Sequence, residues 1–168
     1  MRTVIALLCL AGSILILGFQ SSPPVRPTAL PRTSHPLVIR TSFESRSQWE
    51  KVRKIIESPV RAENLELRAQ VVFVNDLRFR DLSLQDLLAL ARRTYPHSIL
   101  MVVDGDSLGN PELPVLVVDL KEKRGRTFRA LPGQIQTVEN NLSIANVDFD
   151  HFVRSADADG VYRGFQPR

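Results

Sequence analysis

Cysteine is almost absent from this chain: Cys9 is the only one, and it lies inside an apolar run near the N-terminus. If that run is removed as a leader, no thiol remains for a disulfide, a thiolate nucleophile or a cysteine-zinc site. Histidine is scarce too, and His35, His97 and His151 lack the spacing of metal ligands. The sequence therefore gives no reason to expect a cofactor.

Common catalytic signatures are missing as well. The chain has no glycine-rich phosphate loop, and no serine is flanked by glycines as in a nucleophile elbow. These absences count against a familiar hydrolase or nucleotide-using enzyme, although they leave an unfamiliar chemistry open. Wholesale disorder is excluded by composition, because 43% of the residues are hydrophobic and 24% are charged.

Acidic residues are absent from residues 1–36, which hold three arginines. That segment supplies three of the four net positive charges, since residues 37–168 carry 19 basic and 18 acidic side chains. The greater part of the chain is therefore almost neutral. Nucleic-acid binding would need a continuous basic stripe with stacking aromatics, so the charge distribution argues against that class of partner.

One long apolar run is present, residues 4–19, and it follows Arg2. Its sixteen residues would span about 24 Å as a helix, which is short for a bilayer core of about 30 Å. A signal peptide is the alternative, although a cut after Gly18 would leave Ile16 at the −3 position. We interpret residues 1–19 as a signal peptide or an N-terminal membrane anchor. Both predict a protein of the cell envelope, exported or anchored in the membrane.

A proline-rich segment follows the apolar run. Residues 20–36 contain five of the eleven prolines and no acid, a composition typical of an extended linker. We expect residues 37–168 to form one domain. The linker would either hold this domain away from a membrane or be a disordered N-terminal tail.

The domain begins with alternating strands and helices. Apolar runs at 37–41, 69–75 and 98–104 predict buried strands, and helical spacing predicts helices at 46–57 and after Ser83. The order β-α-β-α-β is typical of a parallel sheet covered by helices. A polar turn then joins strands at 115–120 and 127–131 as a hairpin. Helices opened by Pro132 and capped by Asp148 follow, with a short extended piece at 160–165. We predict a single α/β domain with a mixed sheet of about five strands flanked by helices.

Five segments carry a family resemblance: LVIRT at 37–41, PVLVVDL at 114–120, GRTFR at 125–129, ENNLSIANVDF at 139–149 and DADGVYRGF at 157–165. In this combination the chain resembles a bacterial family known only as a domain of unknown function, over roughly residues 37–165. The resemblance implies a fold, and it brings no reaction and no catalytic residues with it.

Aspartates follow the apolar strands closely. Asp76, Asp104 and Asp106 would share the carboxyl edge of a parallel sheet, where carboxylates can hold Mg²⁺ or act as acid and base. Asp119 would join them only if its own strand is parallel, and the short loop before it favours an antiparallel strand. The competing interpretation is that aspartates merely end strands and begin turns.

The segment 155–160 has part of the spacing of a calcium loop. Its first position is Ser155, and its twelfth would be Gln166, so the bidentate carboxylate is missing. A helix that ends and turns at Gly160 is the favoured interpretation.

Two polar surfaces are candidates for binding. The first is the hairpin turn, where cations could meet phosphates, an acidic partner or lipid headgroups, or could protect a sheet edge from aggregation. The second is an asparagine-rich helix end, whose amides could form a recognition surface or cap two successive turns. The candidate binding residues are Lys121, Lys123, Arg124, Arg126, Asn140, Asn141 and Asn146, and Arg129 adds to the charge of the hairpin.

Taken together, the patterns favour a non-catalytic binding module with an unknown protein partner. Contact with a membrane would come through the N-terminal leader if it is not cleaved. The alternative function is a metal-dependent enzyme that uses the aspartates at the strand ends. The two differ in geometry, because an enzyme should gather those carboxylates around one concavity.

Overall fold

Strands and helices alternate along the chain in the computed structural model, which describes residues 25–62, 65–91 and 95–165. The strands are β1 (Leu37–Arg40), β2 (Val60–Ala62), β3 (Leu65–Leu67), β4 (Val72–Val74), β5 (Ile99–Val103), β6 (Val115–Asp119), β7 (Thr127–Ala130) and β8 (Val161–Tyr162). The helices are α1 (Arg46–Glu57), α2 (Leu84–Leu90), α3 (Gly105–Gly109), α4 (Ile135–Ser143) and α5 (Phe149–Ser155), with 3-10 turns at Leu77–Phe79 and Pro132–Gln134.

The main sheet has six strands in the order β4-β1-β5-β6-β7-β8. Strand β1 pairs in parallel with β4 and β5, whereas β6 is antiparallel to both β5 and β7. The predicted α/β domain with a mixed sheet is confirmed. The sheet exceeds the expected five strands because the short β8 adds in parallel to β7. Strands β2 and β3 form a separate antiparallel hairpin.

Apolar side chains cover both faces of the sheet, because successive residues of a strand point to opposite sides. On one face Val38 packs in a cluster with Trp49 of α1 and Phe152 of α5. On the other face Ile39 packs in a cluster with Leu87 of α2. Strands β1 and β5 are buried along their whole length, which explains their continuous apolar sequences.

Two short elements differ from the sequence prediction. Helix α3 forms where a loop was predicted, since the Asp104 carboxylate accepts the Ser107 N–H and the Ser107 hydroxyl accepts the Asp104 N–H. This reciprocal cap compensates for a glycine at each end of a five-residue helix. The β2–β3 hairpin was not predicted, because strands of three residues leave too few positions for an alternating pattern.

The predicted leader, residues 1–19, and the start of the predicted linker lie outside the described residues. The rest of the linker packs on the domain: Leu30 is 3% exposed within the α2 cluster. Its N–H donates to the Leu90 carbonyl at 3.4 Å, and the His97 ring lies 3.0 Å from the Thr33 carbonyl. Within the described ranges, no helix combines the length and the apolar character needed to cross a membrane.

Candidate functional site

A buried carboxylate organises the turn between β6 and β7. Asp119 is 3% exposed, and its carboxylate accepts the backbone N–H groups of Lys121 at 2.7 Å and Lys123 at 2.8 Å, with that of Glu122 at 3.1 Å. The turn is closed by the Gly125 N–H, which donates to the Asp119 carbonyl at 2.8 Å. Three charge-assisted hydrogen bonds thus fix the backbone that carries the basic side chains.

Most of the hairpin cations have partners inside the domain. Lys123 and Arg126 both form ion pairs with Asp150 of α5. Arg124 donates to the carbonyls of Leu88 and Leu120. Lys121 is exposed, and within the described ranges its side chain has no ion-pair or hydrogen-bond partner. The predicted basic patch is therefore partly neutralised by Asp150, and Lys121 is the member whose side chain has no such contact within the described residues.

The asparagines close the C-terminal end of α4. The Asn141 amide donates to the Thr137 carbonyl at 2.8 Å, and the Asn146 amide donates to the Asn141 side-chain oxygen at 2.8 Å. Asn140 lies exposed on the helix. Two of the three asparagines thus bond within the α4–α5 segment, and recognition through these amides stays a prediction.

Sequence reasoning missed Glu139, which is 4% exposed although it is charged. Its carboxylate accepts the Gln70 N–H at 3.0 Å and the Ser143 hydroxyl at 2.9 Å. The burial of Glu139 could not be predicted from its polar neighbours. It depends on a contact with Gln70, which is 69 residues away in the sequence.

The hairpin turn and the α4–α5 turn face each other across a groove at the end of the sheet where β5 begins and β6 ends. Two adjoining cavities of about 90 and 380 Å³ share the lining residues Ser98, Lys121, Leu142 and Ala145. We call this feature the hairpin groove. Between two of its lining residues lies Ile144, an apolar side chain that is 66% exposed. Of the predicted binding residues only Lys121 lines this groove, and the exposed Ile144 is an apolar residue that the sequence did not single out.

The backbone of the α4–α5 turn is held in an unusual conformation. Ala145 has φ +55°, in the left-handed region that residues with a Cβ avoid at a cost of about 1–2 kcal/mol. The hydrogen bond from the Asn146 N–H to the Asn141 carbonyl, at 3.0 Å, stabilises this turn. Ala145 lines the groove, and Ile144, its neighbour in the chain, is exposed.

At the opposite edge of the sheet, Asp76 and Asp104 follow β4 and β5. Strand β1 lies between these two strands, so their ends are separated by about 10 Å. Asp76 caps a 3-10 turn and accepts two hydrogen bonds from the Arg78 guanidinium, which hold the pKa of Asp76 below its usual range. The two carboxylates are therefore engaged in separate local structures.

Asp104 belongs to a network centred on Arg129. Burial acts to raise the pKa of Asp104, but hydrogen bonds from Arg129 and from the Ser107 N–H outweigh burial and lower it. The guanidinium lies 2.8 Å from Asp104 and 3.1 Å from Asp106, which is otherwise exposed. In the described parts of the chain, no three His, Cys, Asp or Glu side chains form a group that could hold a metal ion.

The remaining acidic motifs have other roles. Asp119 lies at the opposite edge from Asp104, since β6 is antiparallel to β5 as the short preceding loop predicts. In the calcium-like segment, Arg163 forms ion pairs with Asp157, Asp159 and, from another loop, Glu112. Its hydrogen bonds lower the pKa of Asp159 to about 2. An arginine thus occupies the centre of this carboxylate cluster.

These elements define a single α/β domain with a mixed six-stranded sheet and a groove at one end of it. The chain belongs to the family described as Domain of unknown function (DUF6924), whose model matches residues 35–165. This agrees with the resemblance to a domain of unknown function that the five sequence segments indicate. No curated protein matches the chain.

Proposed function

We propose that the domain is a non-catalytic interaction module and that the hairpin groove binds a segment of a partner protein. The observation that carries this proposal is the exposure of Ile144, at 66%, beside a groove that also presents Lys121. Large apolar side chains that remain exposed next to a concave surface are typical of protein-binding sites.

The chemistry of the groove indicates the kind of segment that it would accept. Leu142 and Ala145 give the groove an apolar lining, the neighbouring Ile144 is exposed, and Lys121 offers one positive charge. A partner segment with an apolar side chain next to an acidic one would satisfy both features. Asn140, exposed on α4, is a further amide that could bond a partner.

Affinity capture from the native cells with matched variants tests this function. Ile144→Asp and Lys121→Glu should each lose the same partner by at least about tenfold, as expected for central residues of an interface. Leu77→Asp is the control, since Leu77 is also exposed, at 50%, but lies at the opposite edge of the sheet. Equal recovery of the partner by all three variants, or recovery of no specific protein, would contradict the proposal.

We further propose that the module works in the cell envelope, exported or anchored by residues 1–19. Support comes from the uncharged run of residues 4–19 and the basic residue before it. Five residues, 20–24, separate this segment from Val25, a reach of about 17 Å when extended. Cell fractionation with mass spectrometry of the mature N-terminus tests the proposal. A soluble cytoplasmic chain that begins at Met1 would contradict it.

A further inference from the structure

The outer side of β4 is a lateral edge of the main sheet, because β4 is the first strand in the sheet order and β1 is its neighbour. In this ladder the Val72 N–H donates to the Pro36 carbonyl at 2.9 Å, towards β1. Backbone groups of successive residues in a strand point to opposite sides, so those of Val71 and Phe73 point away from β1. Within the described ranges, neither residue makes a backbone hydrogen bond outside the ladder. The edge therefore offers two N–H and two C=O groups to another strand.

The extended conformation continues on both sides of the three-residue β4. The odd-numbered residues from 69 to 73 pack against the cluster that contains Trp49, whereas Val72 and Val74 pack against the cluster that contains Leu87. This alternation between the two faces of the sheet is that of a strand. The backbone of Asp76 is extended as well, with φ −129° and ψ 123°. The edge that another strand could pair with is therefore longer than β4 itself.

This edge lacks the features that usually prevent pairing with another chain. Residues 69–75 contain no charged residue and no proline, and native proteins commonly place such residues on exposed edges. The other lateral edge of the sheet, β8, is protected: it has two residues and lies between Asp159 and Arg163, which form an ion pair. An uncharged, extended edge is typical of a strand that pairs with a strand of another molecule.

Charges at the two ends make this edge complementary to itself. Arg68, which is exposed, precedes the uncharged stretch, and Asp76 follows it. In an antiparallel pair of two copies about a twofold axis at Val72, Asp76 lies opposite Arg68 of the second copy at both ends. With the axis moved to Phe73, Asp76 would lie opposite Gln70 and the charges would have no partners across the pair. Charge complementarity therefore indicates a second copy of this chain as the occupant and selects one register.

The same register brings compatible side chains and backbone groups together. Phe73 lies opposite Val71 of the second copy, and pairs of an aromatic and a β-branched residue stabilise sheets. The outward N–H and C=O groups of these two residues then form hydrogen bonds with each other across the pair. On the axis Val72 meets its own counterpart, so no like charges face each other.

From this arrangement we propose that two copies of the chain form a symmetric dimer by antiparallel pairing of their β4 edges, which joins the two main sheets into one continuous sheet. The axis lies at Val72, and ion pairs between Arg68 and Asp76 close the interface at both ends. The β4 edge shares no residue with the hairpin groove, so the dimer goes beyond the proposed interaction function and does not depend on it.

Analytical ultracentrifugation of the full chain in a mild detergent, over a range of protein concentrations, tests the association. We expect a dimer that dissociates into monomers on dilution. Hydrogen exchange measured at both ends of the concentration range locates the contact. The Val71 and Phe73 amides should exchange more slowly in the dimer, because they become hydrogen-bonded there.

Charge reversal tests the register. Arg68→Asp and Asp76→Arg should each raise the dissociation constant of the dimer by at least about tenfold, since symmetry places like charges at both ends. Mixed in equal amounts, the two variants should form a heterodimer, because every Asp–Arg pair is then restored. Arg154→Asp, an equal change of charge on α5, should dimerise like the wild type. Unchanged circular dichroism verifies that each variant is folded.

Three results would overturn the proposal: a chain that is monomeric at every concentration, a dimer whose β4 amides are not protected, or charge reversals that leave the dimer unchanged and give no preference for the heterodimer. Protection of the β4 amides only when a different protein is added to a monomeric chain would also overturn it, and would assign this edge to a strand of that protein.

Discussion

At the residue scale, Arg129 holds together the strand ends at the carboxyl edge of the sheet. Its guanidinium contacts Asp104 at 2.8 Å, and the two side chains are 20% and 25% exposed. Replacement by methionine would leave Asp104 partly buried without its cation. We expect Arg129→Met to lower the free energy of unfolding by about 1–3 kcal/mol in urea denaturation. Lys123→Met removes a more exposed pair and should cost less than about 1 kcal/mol. Equal losses would contradict this ranking.

Arg163 makes a separate prediction about pH. The pKa of Asp159 is about 2 in the folded chain, against about 3.9 for an unperturbed aspartate. A lowered folded pKa stabilises the protein above the unfolded pKa, and this contribution is lost as the pH falls through the folded value. The stability difference between wild type and Arg163→Gln should therefore be constant above about pH 5 and shrink towards about pH 2.

The measurement for Arg163 is urea denaturation at a series of pH values. Arg154→Gln serves as the control, because its pair with Asp148 is long, at 3.9 Å, and exposed on both sides. Its stability should follow the wild type at every pH. A difference for Arg163→Gln that stays constant down to pH 2 would contradict the assignment of its acid sensitivity to this carboxylate cluster.

At the scale of elements, the β6–β7 turn depends on one glycine. Gly125 has φ +89°, and an added Cβ would lie 3.1 Å from the Leu88 side chain. We expect Gly125→Ala to lower the free energy of unfolding by about 1–2 kcal/mol, because alanine is strained in the left-handed region. Gly109→Ala is the matched control, since nothing lies within 4 Å of its added Cβ. Equal stabilities of the two variants in chemical denaturation would contradict this account.

Local signals explain why most elements could be predicted. Ser45 and Ser83 cap α1 and α2 as their spacing indicates, and Asp148 caps α5. Strands β1 and β5 could be predicted as continuous apolar runs because both of their faces are buried. Helix α3 could not be predicted in the same way, because it is only five residues long and has a glycine at each end, although its Asp104–Ser107 cap is local.

The same contrast applies to the candidate sites. The sequence indicates a basic hairpin and an asparagine-rich helix end, but it does not reveal that Lys123 and Arg126 share Asp150 as their ion-pair partner. Nor does it reveal that Arg40, the last residue of β1, is 4% exposed, because an arginine at a strand end is usually exposed. Charges can be counted in a sequence, whereas their partners depend on contacts that only the fold creates.

At the scale of the whole molecule, stability measurements can locate the N-terminal boundary of the folding unit. The family model matches from residue 35, yet Leu30 is 3% exposed in the cluster on the α2 face. If that contact contributes to folding, the folding unit begins before the family match, and the proline-rich segment serves as part of the domain. The linker would then be shorter than the seventeen residues, 20–36, that the proline-rich composition indicates.

A pair of substitutions in the full chain tests this boundary. Leu30→Ala should lower the free energy of unfolding by about 2–3 kcal/mol, since it removes a buried side chain from a packed cluster. Val25→Ala, at a position that is 83% exposed, should change it by less than about 0.5 kcal/mol. Equal stabilities in urea denaturation would place the boundary of the folding unit at residue 35, where the family match begins. A loss confined to Leu30→Ala would place the start of the folding unit at or before Leu30.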